Sequence, residues 1–339
     1  MYTLKQLPED FVVKEVSNIP VKDNGKYLYF KLSKREENTL GAIKKLSQTL
    51  RLPEKNFGVA GNKDKKAVTE QICSVFGTTK ERLLQVKLDT LTLKFLGYGD
   101  VPICLGDLEG NQFTIVVRNL EPKTKITSLH YCPNYFDEQR FSEHNVEIGR
   151  SLVKKDFKKA AELVDDYHGR DWLQEHPQDY VGALKKVTMR LLRMYVNAYQ
   201  SYLWNETLVE YLKHNCKKVH EVDYSEGKLV FVDDADKFKD LKIPIVGFGG
   251  DDLIKDEESK SIIEGILRKE KITYSDFIIK QIPELTLEGE ERAGFVEVKD
   301  LKIGKLEQDE LNSGKQKVTL TFTLGKGSYA TMCVRNLFS

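Results

Sequence analysis

Hydrophobic and polar positions change rhythm along this chain. DFVVKEV (10–16) and KYLYFKLS (26–33) alternate or run in β-branched and aromatic residues, which predicts two strands. NTLGAIKKLSQTLRL then places Leu40, Ile43, Leu46 and Leu50 at helical spacing, with Asn38 suited to the N-cap and Pro53 beyond the end. NFGVAG and AVTEQICSVFG predict short strands, and LTLKFLGYG and NQFTIVVRNL longer ones. From about Glu143 the period lengthens. EIGRSLVKKDFKKAAELV reads as helical, and LKKVTMRLLRMYVNAYQSYLWNETLVEYLK as one long amphipathic helix. Leu184, Val187, Leu191, Tyr195, Ala198 and Tyr202 form its apolar stripe, and Arg193, Asn197 and Ser201 a polar one. Short strands and glycine turns (IVGFGGDD) follow, then a helix in ESKSIIEGILRKEKI. Strand texture returns after LEGEERAGFVEV and continues through KVTLTFTLGKGSYATMCVRNLF.

This order predicts an α+β fold in which both ends of the chain build one β-rich domain with a mixed, largely antiparallel sheet. A mostly helical segment interrupts it, so the expected parts are residues 1–150, 151–294 and 295–339. A length of 339 residues suits two cores better than one.

Composition is that of a soluble globular protein, with 40% hydrophobic and 31% charged residues. No apolar run is long enough for a bilayer, and the N-terminus lacks a basic-then-apolar signal pattern, so a cytoplasmic location and no membrane partner are expected. The five cysteines are odd in number and scattered, and the six histidines form no zinc pattern, so neither a disulfide framework nor a metal site is expected. The net charge of +1 hides an asymmetry. Residues 26–66 carry eleven Lys/Arg against four Asp/Glu, whereas 220–259 carry twelve Asp/Glu against five Lys. Such a division fits a polyanion-binding face balanced by an acidic one.

The candidate chemistry lies in GVAGNKDKKAVTEQ (58–71), where Asp64 stands among Lys63, Lys65 and Lys66 just after two glycines. As a guanine-reading N-K-x-D motif it fails, because position 65 is lysine and no phosphate-cradling G-x-x-x-x-G-K-[ST] accompanies it. As a turn aspartate, Asp64 would simply cap the next helix or strand. The longer block AGNKDKKAVTEQ resembles the signature of the TruD family of RNA pseudouridine synthases, G-x-K-D-x-x-A-V-T-x-Q. Further blocks resemble the family in the same order: PEDFVVKEV (from 8), NTLGAIKKL (from 38), LGDLEGNQFTIVVRNL (from 105), PNYFDEQRFSEHN (from 133), NAYQSYLWN (from 197) and LGKGSYATMCVRNL (from 324). One departure is Ser142, where many members have glycine after Q-R-F.

The resemblance implies a pseudouridine-synthase-like catalytic domain interrupted by a TRUD-type domain, with tRNA as partner and uridine 13 as the target. Other RNA positions, or a non-catalytic RNA-binding relative, are the alternatives. It implies Asp64 as the catalytic carboxylate, Lys5 as its basic partner, Phe136 as the aromatic that stacks on the uracil and Asn134 as a supporting residue. Texture alone would put Tyr135 and Phe136 in a core. The isomerisation consumes nothing, so no cofactor is expected. Lys63, Lys65 and Lys66 are candidates for the RNA backbone. Arg140 and Arg335 stand in strong blocks and are candidates for phosphate, for Asp64 or for bracing the sheet. The polar stripe of the long helix is open between RNA and buried hydrogen bonds. The glycines around Lys326 fit a phosphate site or a hairpin turn between two strands.

Overall fold

The structure, a computed structural model, describes residues 2–339. In chain order the first elements are β1 (Phe11–Val16), β2 (Tyr27–Arg35), α1 (Thr39–Leu50), β3 (Phe57–Val59), β4 (Val68–Val75), α2 (Lys80–Leu84), β5 (Leu91–Gly99) and β6 (Gly110–Leu120). The middle holds β7 (Tyr131–Pro133), α3 (Asn145–Val153), α4 (Phe157–Leu163), α5 (Tyr167–Glu175), α6 (Tyr180–Lys186) and α7 (Met189–Asn215). After these come β8 (His220–Tyr224), β9 (Gly227–Phe231), β10 (Lys242–Ile245), α8 (Glu257–Glu270), β11 (Glu290–Ala293) and β12 (Phe295–Glu297). The chain closes with β13 (Lys299–Ile303), β14 (Glu307–Gln308), β15 (Gln316–Gly325) and α9 (Ala330–Leu337).

Packing separates two compact units. The first runs up to His130 and resumes over Glu297–Ala330; the second comprises Tyr131–Val296 and Thr331–Ser339. Residues 131–150, grouped from sequence with the N-terminal part, therefore pack with the second unit.

The first unit is built on a sheet of order β13-β15-β6-β1-β4-β2-β5, with β3 on β4 and β14 on β15. Among the described residues β1 runs parallel to β4, and the other neighbours in this sheet are antiparallel. The fold is thus α+β with a mixed, largely antiparallel sheet. Asn38 caps α1 by accepting from the Gly41 N–H at 2.6 Å, and Arg51 ends the helix in the left-handed region at φ 55°. The buried stripe of α1 (Ala42, Ile43, Leu46, Leu50) covers Leu28, Phe30 and Leu32 of β2 and Cys73 and Val75 of β4. Each large aliphatic buried there stabilises by about 1.5–3 kcal/mol, which locks α1 over the sheet.

The second unit is organised around α7. The expected single helix breaks at Val187 and Thr188, whose extended backbone separates α6 from α7. Beyond the break α7 is no surface helix with one stripe. Ala198, Tyr199, Ser201, Leu203, Trp204 and Asn205 are all buried, so neighbours enclose most of its circumference. Gly149 allows α3 to cross it closely, since a Cβ there would lie 2.0 Å from the Tyr195 carbonyl oxygen. The segment 147–164 also divides, into α3 and α4, where Lys155 adopts φ 61°.

The C-terminus departs from the expected strand texture. β15 ends at Gly325, and the turn through Gly327 (φ 78°) leads into α9 rather than into a second strand. Residues 330–337 satisfy their backbone locally as a helix whose Ala330, Met332, Cys333, Val334 and Leu337 are buried.

Candidate active site

Asp64 lies on the loop between β3 and β4, close to where β4 starts beside β1 and β2. Its Oδ2 accepts from the Lys5 ammonium at 2.6 Å, with the acid side chain 33% exposed and the lysine 20%. Among the described residues Oδ1 accepts no hydrogen bond. One oxygen is tethered by a cation, and the other accepts from no described donor. Lys5 also stands 4.2 Å from the ring centroid of Phe11, so its charge is shared between a carboxylate and an aromatic face.

The loop is pinned from below by side chains at the edge of the α1 core. Lys34 of β2 is buried and donates to the carbonyl oxygens of Glu37, Lys63 (3.2 Å) and Asp64 (2.8 Å). Burial pushes its ammonium down to about 8, against the pull of Asp64 and Glu37, while Lys63 adds to the fall. Thr39 at the start of α1 accepts from the Lys63 N–H at 2.9 Å and donates to Gln71, whose amide donates to the Gly61 carbonyl at 3.1 Å. The Lys63 side chain turns inward to Glu15 of β1 at 2.8 Å, with 5% and 1% of the two side chains exposed. Glu15 also accepts the Ile72 N–H at 3.1 Å.

The sequence grouping of three lysines toward RNA therefore changes. Lys63 is committed to a buried ion pair, whereas Lys65 and Lys66 remain exposed. The reason is the position of Glu15 on β1, which offers the Lys63 ammonium a buried carboxylate.

The segment carrying Lys5 is held as firmly. Thr3 exchanges both backbone hydrogen bonds with Arg118 of β6, at 2.9 and 3.0 Å. The Leu7 N–H donates to Asp10 at 2.8 Å, and Asn312 donates to Gln6 at 3.0 Å. Buried Arg118 joins these anchors, donating through Nε to both oxygens of Asp10 at 2.9 Å and through Nη1 to Asp309 at 2.9 Å. Burial works to raise the Asp309 pKa, yet the Asn119 N–H, the Asn312 amide, the Leu311 N–H and Arg118 hold it below the usual carboxylate range.

The remaining candidates lie in the second unit. Asn134 is buried; its side chain donates to the Ala293 carbonyl at 3.1 Å, and its Oδ1 has no hydrogen-bond partner among the described residues. Tyr135 is a core residue whose hydroxyl donates to the Val230 carbonyl at 2.9 Å. Phe136 is 7% exposed, edge-to-face with Trp204 at 5.6 Å and with the Arg292 guanidinium 4.0 Å from its ring centroid. Asn205 of α7 clamps its main chain, accepting from the Phe136 N–H at 2.9 Å and donating to its carbonyl at 3.0 Å. Arg140 donates to Ser201 at 3.3 Å and lies 5.6 Å from the Phe136 ring. Arg335 pairs with Glu138 at 3.1 Å. On the polar stripe of α7, Arg193 donates to the Glu284 carbonyl at 2.9 Å and Ser201 to the Asn197 carbonyl at 2.7 Å. No described helix is long and apolar enough to cross a membrane, and no cluster of three or more His, Cys, Asp or Glu suited to a metal occurs among the described residues.

The family model described as tRNA pseudouridine synthase D (TruD) matches residues 2–171 and 167–337. The chain belongs to the TruD family. A relative in Aquifex aeolicus named tRNA pseudouridine synthase D is 32% identical, over 99% of this chain and 97% of its own length. A Methanocaldococcus jannaschii relative carrying the same family name is 33% identical, over 99% of this chain and 91% of its own. A solved structure from Methanosarcina mazei that bears the TruD name superposes with a TM-score of 0.72 at 27% identity, covering 99% and 93% of the two chains.

Several site residues of this TruD-family chain escaped the sequence reading although a signal was present. In β2, Lys34 falls in phase with buried Leu28, Phe30 and Leu32; in β1, Glu15 falls in phase with buried Phe11 and Val13. A charged residue on the apolar face of a strand stays there only if partners satisfy it. Arg118 gave no comparable signal, because in β6 it falls out of phase with buried Phe113, Ile115 and Val117.

Proposed function

We propose that this chain is a tRNA pseudouridine synthase that isomerises uridine to pseudouridine at position 13 of tRNA, with Asp64 as the catalytic carboxylate. The observation that carries the reading is the Asp64 geometry: Oδ2 held at 2.6 Å by Lys5, Oδ1 accepting from no described donor, on a loop pinned through its main chain. The reaction breaks the bond from ribose C1′ to N1 of the base, turns the base, joins C5 to C1′ and moves the C5 proton to N1, so atoms balance without a co-reactant. An ionised carboxylate beside the ribose serves it as a nucleophile at C1′ or as a base at C2′.

In this reading the target uridine leaves its stack, at a cost of a few kcal/mol. Phe136 recovers part of that by stacking, and Asn134 supports the segment that carries it. Arg292 over the Phe136 ring must give way, or leave the other face to the base. Residues 151–294, which lie within the second unit, belong to the inserted TRUD-type domain. Exposed Lys65 and Lys66 contact the RNA backbone, and Arg140 and Arg335 hold the Phe136 block in shape for it.

The test is incubation with unmodified tRNA transcripts, followed by mapping of carbodiimide-reactive pseudouridine. Wild type is expected to modify position 13. Asp64→Asn is expected to bind tRNA with near-normal affinity and form none. Substantial turnover by Asp64→Asn would refute its role; a product elsewhere would refute the position; no product with any tRNA would refute the activity.

A further inference from the structure

We propose that Lys34 is a positioning residue for the reaction: its buried ammonium fixes the Asp64 carboxylate by binding the main chain on which that acid is carried. The inference rests on Asp64 being the catalytic carboxylate.

The geometry is that of a three-donor group matched to three acceptors. An ammonium has three N–H bonds and no acceptor. The Lys34 Nζ has three carbonyl oxygens around it, those of Glu37, Lys63 and Asp64. Two belong to the loop residues on which the acid stands, and the third to the turn that leads into α1. Lys34 therefore ties loop, turn and β2 together at one atom. The anchor acts on the Asp64 carbonyl and leaves the carboxylate to Lys5. Lys5 meets the acid directly, whereas Lys34 acts only through the backbone.

Burying a lysine is costly, and a lysine whose only task was to fill space would be replaced without loss by methionine. The charged groups facing it are Asp64 and Glu37, which favour its charge, and Lys63, which opposes it. Glu37 is itself paired with Lys45, and Lys63 with Glu15. With its ammonium depressed to about 8, Lys34 loses its proton in mildly alkaline solution. A neutral amine then offers two donors and one lone pair to three carbonyls, so one of the three loses its donor and the anchor loosens.

The consequence for the fold has the opposite sign. Between about 8 and the ordinary lysine value the unfolded chain binds more protons at this position than the folded one, so the Lys34 contribution to stability rises with pH. An alkaline fall in rate without a fall in stability separates positioning from general unfolding.

The experiment measures single-turnover rates and tRNA affinity for wild type, Lys34→Met, Lys34→Arg and Asp64→Asn from pH 6 to 10, with stability from chemical unfolding. Lys34→Met is expected to lower the rate about a hundredfold, the scale of an ångström-level misplacement of a reacting group, with affinity within about twofold. Its residual rate should lack the alkaline fall near pH 8 that wild type shows. Lys34→Arg, which keeps charge and donors, should recover part of the rate and stay flat to pH 10. If Lys34→Met fails to fold, the wild-type pH profile and Lys34→Arg carry the test. A full rate in Lys34→Met, a wild-type profile flat through pH 8–9, or a loss wholly accounted for by affinity would each overturn the inference. Turnover by Asp64→Asn would instead overturn the reading on which it rests.

Discussion

Removing the Lys63 charge tests whether the loop is held by a buried ion pair. The pair with Glu15 spans 2.8 Å, with 5% and 1% of the side chains exposed. At an effective dielectric near 20, Coulomb attraction at that distance is about 6 kcal/mol. Desolvating the two ions costs several kcal/mol each, so the net worth of the pair is near zero. Lys63→Met keeps the stem but strands the Glu15 carboxylate, which predicts a loss of about 3–5 kcal/mol. Glu15→Gln strands the ammonium and predicts a similar loss. Gln keeps an acceptor for the Ile72 N–H, so the double variant loses only hydrogen-bond strength, about 1–2 kcal/mol. The cycle should therefore show a coupling of at least about 4 kcal/mol. Both tryptophans, Trp172 and Trp204, lie in the second unit, so their fluorescence reports the wrong part of the molecule. Far-UV circular dichroism with urea, and hydrogen exchange of the β1 and β4 amides, read the first unit. If Lys63 faced RNA instead, Lys63→Met would leave stability within about 0.5 kcal/mol and reduce the salt slope of tRNA binding by about one. That result would refute the inward pairing.

Two further outcomes are expected from the geometry. Asn205→Ala removes both hydrogen bonds to the Phe136 main chain and should destabilise the second unit by about 2–3 kcal/mol, read from Trp204 fluorescence against urea, with catalysis falling further than tRNA affinity. Asp309 has a depressed pKa, so its contribution is present above the ordinary aspartate value and lost as pH falls through the folded one. Asp309→Asn should thus be less stable than wild type at pH 7, and the gap should narrow below about pH 4 in acid-unfolding curves.

Much of this protein was legible from residue order because strands, helices and family blocks are local or ordered patterns. The period-two runs announced β1, β2, β4, β5 and β6, and Asn38 announced the start of α1. The block around Asp64 announced the candidate acid, because a loop that presents a side chain needs particular neighbours at fixed offsets. Local pattern fared worse where two outcomes share one texture. The run 317–338 reads as strand throughout, but residues 330–337 are helical; the run 184–213 reads as one helix, but an extended pair at 187–188 divides it.

Which lysine turns inward was beyond the sequence. Lys63, Lys65 and Lys66 are alike in type and setting, and only the position of Glu15, 48 residues upstream, distinguishes the first. Lys5 meets Asp64 across 59 residues, and Arg118 joins Asp309 across 191. A buried charge is tolerable only where its partners already stand. Those partners are brought in by strand pairing, which acts at distances along the chain that no local pattern encodes.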